Sequence, residues 1–241
     1  MNHFPILSVL IWLPVLGAMA VLLFASDARV HYARMIALLV SLVSLVLCVM
    51  MWAHFDTSTA MMQFRETVAW IPSYKINYDV GVDGISMPLV VLTCFTTLVV
   101  VLASWTMVHE KVAQYLAAFL VMQAAVIGVF VALDSMLFYF FWEAMLIPMY
   151  LSIGIWGGEN RSYAAIKFFL YTFLGSVLLL VAILYLRMHS GTFDILGFFH
   201  LKLSQPVQNM LFLGFFLAFR SGKKTLDSKL TQTMIITNIS G

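Results

Sequence analysis

Phe138-Tyr-Phe-Phe-Trp-Glu-Ala-Met-Leu-Ile-Pro-Met-Tyr150 lies in a longer apolar stretch, Ser135 to Gly158, whose uncharged run is broken once, by Glu143. A helix needs about 20 residues, at about 1.5 Å each, to cross a hydrocarbon core about 30 Å thick. The stretch is long enough, and it is apolar on every face. A membrane β-strand would instead show about ten residues of alternating polarity. Backbone polar groups in lipid are satisfied only within helices or closed barrels, so this segment predicts a spanning helix that carries a carboxyl group into the membrane.

Outward from it, further uncharged stretches run over Met1–Ser26, Met35–Phe55, Gly84–His109, Val112–Leu133, Phe168–Leu186 and Leu203–Phe219. Together they predict an all-α, polytopic transmembrane bundle of about seven spans, the last one short. Composition agrees, with 63% hydrophobic and 10% charged residues where a soluble domain has about 45–50% and about 25%. Thirteen Lys and Arg against eleven Asp and Glu leave no basic patch, which excludes a nucleic-acid partner and makes the lipid bilayer the expected one. Cys48 and Cys94 fall inside apolar runs and read as packing residues rather than a disulfide framework or metal cluster. No Lys or Arg precedes the apolar Phe4–Ala25 segment, so it reads as a retained first span, not a cleaved signal.

Connections are short except His54–Asp83, a polar and aromatic segment with Trp70, Pro72, Tyr74 and Tyr78 that is expected to pack over one membrane face. On the N-terminal side of the membrane fall Arg65, Lys75, Arg187 and Lys202. On the other fall Arg29, Arg34, Lys111, Arg161 and Lys167. That near balance sets no orientation until Arg220, Lys223, Lys224 and Lys229 of the tail are added, which puts the N-terminus outside.

Glu143 lies about 12 Å into its helix. An acidic residue at a helix centre costs about 2.5–3.5 kcal/mol to insert, so it should face protein or water and either hold a proton or find a cation. Tyr139 and Ile147 flank it at helical spacing, and Tyr150 follows two turns on. Pro148 lacks a backbone donor and frees the Ala144 carbonyl one turn earlier. Two readings follow: a hydrated proton-handling stripe of Tyr139, Glu143, Pro148 and Tyr150, or a protonated Glu143 that only joins neighbouring helices. Lys167, with Tyr171 one turn on, is the second candidate, and a lysine at that depth can also snorkel to the interface. Asp83 and Asp134 stand at helix starts, where a carboxylate caps the first turn and meets the helix dipole. His3, His31, His54, His109, His189 and His200 lie near span ends or in loops with no metal-site spacing. No phosphate loop, nucleophile–base pair or haem or iron–sulfur ligand set is present, so no catalytic redox residue, bound cofactor or metal is expected on this chain.

The block Phe141–Tyr150, read with Val82-Asp-Gly-Ile-Ser86 and Ala165-Ile-Lys-Phe-Phe-Leu-Tyr-Thr172, resembles the chain M, or chain 4, family of the proton-pumping NADH:quinone oxidoreductase, respiratory complex I. The resemblance runs in order from about Met1 to Phe219. It implies an antiporter-like membrane-arm subunit of about fourteen helices, in which half-channels are joined by ionisable groups at mid-membrane. A fifth-helix glutamate, matched here by Glu143, pairs in that family with a seventh-helix lysine. It also implies other membrane-arm subunits as partners, protons as the cargo, and a multi-pass place in a bacterial inner membrane with the N-terminus outside. NADH, FMN, iron–sulfur clusters and quinone would be handled by other subunits. Multisubunit cation/proton antiporters and energy-converting hydrogenases share this scaffold and stay open as alternatives.

Residues 1–219 follow the family pattern as the N-terminal half of a proton-translocating domain. From Arg220-Ser-Gly-Lys-Lys-Thr-Leu-Asp-Ser-Lys-Leu230 to Gly241 the sequence diverges into a polar tail. The pattern predicts a frameshift or early stop after Phe219, which would leave a fragment without function. The other reading is a genuine short homologue whose basic tail grips anionic headgroups. Lys223 and Lys224 do not match the context of the family's lysine.

Overall fold

A computed structural model describes residues 5–23, 30–59, 61–199 and 201–226. His3, Arg29, His200 and Lys229, named above, lie outside the described residues. Among the described residues six helices are long and apolar enough to cross a bilayer: α1 (Ile6–Leu23), α2 (Val30–Ala53), α3 (Ser86–Met107), α4 (Val112–Val131), α5 (Ser135–Trp156) and α6 (Arg161–Ser190). Their outward faces show what the solvent is. Leu16 is 61% exposed and Leu39 64%, and apolar surface on that scale around every helix suits lipid, not water. The chain is a multi-pass integral membrane protein.

The helices form two compact units that divide after Pro148, within α5. In the first, α1 packs on α2 and α4, and α3 bridges α2 and α4. Leu7, Leu10, Met51, Val90, Ile127 and Phe141 are fully or nearly fully buried at its centre. Gly128 of α4 lets α5 come close, because the buried Phe141 ring stands where a Cβ would go. Gly128→Ala is expected to cost about 1–3 kcal/mol by overpacking, read as a lower unfolding midpoint in lipid, and Phe141→Leu in the same chain should recover most of it. No recovery would mean that the close approach is not what Gly128 supplies.

The 54–83 connection is more ordered than a polar cover. Strands β1 (Gln63–Ile71) and β2 (Ile76–Val82) pair antiparallel around a single 3-10 turn over Pro72–Tyr74, closed by Lys75 in the left-handed region at φ 57°. A register shift between Gln63 and Glu66, with Phe64 at φ 52°, turns Phe64 onto the core. Val80 and Val82 of β2 are completely buried beneath the hairpin. Beyond the hairpin, Val80 bridges to Ala132, and the Leu133 N–H donates to the Asp79 carbonyl at 2.8 Å. The hairpin is thereby fixed to the turn between α4 and α5.

In the second unit α6 packs along α8 (Gln205–Leu226), with the short α7 (Ile195–Phe198) between them in sequence. The sequence expectation of a short last span ending at Phe219 is modified here: the α8 backbone stays helical through Arg220 to Leu226, 22 residues in all. Leu, Lys and Arg are good helix formers, so a change from apolar to polar sequence alters the solvent a helix wants before it ends the helix. Helix α6 also starts earlier than the uncharged run beginning at Phe168, which places Lys167 inside its second turn.

Candidate functional site

Glu143 projects from the middle of α5 and is partly buried. Its Oε1 is fully enclosed with no hydrogen-bond partner. Aromatic rings crowd this part of α5. Phe138 stacks on Trp142 at 5.8 Å, and Phe140 meets Trp70 of the hairpin edge-on at 5.5 Å. Tyr139, one turn before Glu143, is partly buried, and Pro148 is buried one turn after it, while Ile147 is 63% exposed. The chemistry available is that of a carboxyl group in an apolar wall with one oxygen free to accept a proton or a donor from outside the described contacts.

In the second unit Lys167 holds its ammonium 5.8 Å from the centre of the Tyr163 ring, one turn back on α6. That is a cation–π geometry, in which the ring face receives the ammonium. Tyr150 meets Phe169 edge-on at 5.7 Å, and Tyr171 is 52% exposed. Within that unit Gly154 near the end of α5 comes close to Ala165.

Both helix-end acids cap. Asp83 Oδ1 accepts the N–H groups of Ile85 (3.1 Å) and Ser86 (2.7 Å) at the start of α3, and the Asp83 N–H donates to Ser86 Oγ at 2.9 Å. Burial pushes the Asp83 carboxyl up, but the bonds from Ser86 and Ile85 outweigh it and hold the group below the ordinary carboxylate value. The folded chain therefore binds this proton less readily than the unfolded one. Its contribution is present above the unfolded value and is lost as pH falls through the folded one. Asp83→Ala should cost about 1 kcal/mol at neutral pH and little in strong acid, measured as unfolding midpoints against pH; an equal loss at both would refute the capping role.

Asp134 is 2% exposed and accepts three backbone N–H groups. Met136 (2.9 Å) and Leu137 (3.2 Å) of α5 bond to Oδ1, and Asn77 of the hairpin bonds to Oδ2 at 3.0 Å. Burial is the largest influence and raises its carboxyl above the ordinary value, the nearby Asp79 charge adds to it, and the three N–H bonds oppose.

Sequence reasoning missed a second set of acids, all in the hairpin. Glu66 accepts the Leu7 N–H at 2.8 Å, the Ser8 N–H at 3.1 Å and the Ser8 hydroxyl, so a strand residue caps the first turn of α1. Tyr78 joins this group through Ser8 Oγ at 3.0 Å, and burial pushes its phenol up. Asp79 takes two bonds from Arg65 at 2.9 and 2.6 Å and one from Thr67 at 2.8 Å. Three helix N-termini on one membrane face, those of α1, α3 and α5, thus each receive a carboxylate. Among the described residues no group of three His, Cys, Asp or Glu could hold a metal ion. His54 and His189 bond back to carbonyls of their own helices.

Comparison with known proteins places this arrangement. Residues 9–132 match the family described as NADH-ubiquinone oxidoreductase chain 4, amino terminus, and residues 132–225 match the NADH:quinone oxidoreductase/Mrp antiporter transmembrane family. NADH-quinone oxidoreductase subunit M of Rhodobacter capsulatus is 46% identical over 231 residues, covering 89% of this chain and 44% of the relative. The same-named protein of Rickettsia conorii is 40% identical over 225 residues, covering 91% and 46%. A chain of Thermus thermophilus respiratory complex I with bound NADH superposes with a TM-score of 0.77 at 28% identity, covering 88% of this chain and 43% of that one. The Mrp complex of Dietzia sp. shares the fold, with a TM-score of 0.76 at 15% identity over 89% of this chain and 23% of that one. The chain spans a little under half the length of the curated relatives it matches.

Proposed function

This chain belongs to the NADH-ubiquinone oxidoreductase chain 4 family, and on that premise we propose that it forms part of a proton-translocating membrane-arm subunit of respiratory NADH:quinone oxidoreductase. The observation that carries the reading is Glu143: an ionisable group well inside α5 with one enclosed oxygen that no hydrogen bond satisfies. A membrane protein keeps such a group at a cost of about 2.5–3.5 kcal/mol, and intramembrane acids mark ion and proton paths. In the first unit Glu143 takes and releases a proton, accompanied on α5 by Tyr139 and by the Ala144 carbonyl that Pro148 frees. In the second unit Lys167 is a further ionisable group for the same task, with Tyr150 and Tyr171 as polar groups of that unit. Asp83 and Asp134 hold α3 and α5 in place.

On this reading the chain carries no redox centre. Electron transfer from NADH through flavin and iron–sulfur clusters to quinone belongs to partner subunits, and this chain meets other membrane-arm subunits and lipid. Its place is a bacterial inner membrane, with the N-terminus and the hairpin outside.

The test is to express the tagged chain in its native membranes, purify through the tag, and follow proton uptake by inverted vesicles on adding NADH. Co-purification of an NADH-oxidising complex whose uptake is coupled to oxidation supports the proposal. Sodium/proton exchange without NADH oxidation would instead favour a cation/proton antiporter, a reading kept in view by the second family match over residues 132–225. Absence of the chain from any large complex would refute both.

A further inference from the structure

We infer that the packing seam of α2, α3 and α4 holds water in the interior of the membrane, at a site built from the Gln123 side-chain amide and the thiols of Cys48 and Cys94. The inference is independent of the proton-translocating reading and concerns a region that does not include Glu143.

Gln123 of α4 is 1% exposed. Its Nε2 donates to Cys94 Sγ at 3.6 Å, which puts the amide at the α3 thiol, while Oε1 is buried with no hydrogen-bond partner. Exchanging the oxygen and nitrogen of the amide changes nothing, since one atom would still face the thiol and the other would still lack a protein partner. Cys94 shares the same buried core cluster with Cys48 of α2, and both cysteines are completely buried. Three helices therefore bring one amide and two thiols together where lipid and bulk water are both excluded.

The seam continues from this point toward the opposite membrane face. Ser44 lies one turn from Cys48 on α2 and Thr97 one turn from Cys94 on α3, and both are buried. Their hydroxyl protons are committed to their own helices, to the Val40 carbonyl at 2.9 Å and the Thr93 carbonyl at 3.0 Å, which leaves only lone pairs to offer. At the far end Arg34 of α2 donates through Nη2 to the Val108 carbonyl at 3.1 Å, and its Nε is buried without a partner.

The chemistry of this set selects the ligand. A hard cation wants several oxygen ligands, and the two nearest groups are sulfur. An anion would find lone pairs where it needs donors. Water donates to Gln123 Oε1 and to the hydroxyl lone pairs and accepts from a thiol, which fits the mixture of acceptors and weak donors present.

Cys48 and Cys94 are the chain's two cysteines, so the infrared S–H stretch, which lies clear of other protein bands, reports this site alone. The full chain in lipid bilayers is transferred to heavy water, and the S–H and amide bands are followed together. The expected result is that the S–H band gives way to an S–D band while the core amides stay protected, and that Gln123→Met and Gln123→Leu, with the same amide protection, retain the S–H band. An S–H band that outlasts the wild-type amide protons would show a dry seam and overturn the proposal. Equally fast thiol exchange in both variants with protected amides would overturn the assignment to Gln123.

Discussion

Glu143→Gln is expected to bring NADH-driven proton uptake through this subunit down by about a hundredfold or more, the scale on which a positioned proton-transfer group acts, while the chain still inserts and assembles. Glutamine keeps the shape and the hydrogen-bonding atoms of the side chain and removes its ability to take a proton. It also lowers the cost of placing the residue in a span, so the variant should be at least as stable as the parent. That combination separates the two readings of this residue. A proton carrier loses its activity on becoming an amide and gains stability. A protonated glutamate that only joins helices is replaced by glutamine with its donor intact, and the activity survives. The enclosed and unsatisfied Oε1 argues for the first, because an assembly bond would occupy it. Undiminished uptake in Glu143→Gln vesicles, with the protein present at parental levels, would remove Glu143 from the proton path.

The spans were legible because lipid demands apolar residues on every face, and a charge within such a run stands out at once, as Glu143 did. Asp83 and Asp134 were legible as caps because they precede apolar runs directly. The hairpin was not, although its strands carry β-branched and aromatic residues. Its order comes from docking onto helix ends, and Val80 and Val82 are buried where β2 packs on α1 and α4, not by a sheet of their own. Glu66, Arg65 and Asp79 looked like solvated charges in a polar loop for the same reason. What makes Glu66 structural is the unpaired N-terminal N–H groups of a helix distant in sequence, and what makes Arg65 and Asp79 structural is their pairing across the two strands; spacing along the chain reports neither. Gln123 escaped notice because an uncharged amide does not interrupt an apolar run, and its orphaned oxygen exists only once α3 and α4 are packed. Lys167 reads as near the start of the sixth helix, and the α6 backbone, which begins at Arg161, before the uncharged run, carries it in the second turn. Charge marks where the solvent changes, and helix ends follow backbone hydrogen bonds.

Asp134→Ala is expected to have the largest effect on stability. The carboxylate does two things at once: Oδ1 caps α5 through Met136 and Leu137, and Oδ2 ties the hairpin to the same turn through the Asn77 N–H. Loss of the cap costs about 0.5–2 kcal/mol, and leaving the Asn77 donor without its acceptor adds about 1–3 kcal/mol, less where water reaches that half-buried strand. A total near 2–3 kcal/mol follows, and the hairpin should loosen before the helices do, seen as faster amide exchange over Ile76–Val82. Asp134→Asn should recover only the first part: its single oxygen can face Met136 and Leu137, but its NH2 group then opposes the Asn77 N–H. The pH dependence has the opposite sign to that of Asp83. Because burial raises the Asp134 carboxyl, the folded chain binds this proton more readily than the unfolded one. That preference favours folding below the unfolded value and fades as pH rises through the folded one. Removing the side chain should therefore flatten this part of the profile. If Asp134→Ala unfolds with the parent at every pH, with hairpin exchange unchanged, the link between Asp134 and the hairpin is not what holds this face together.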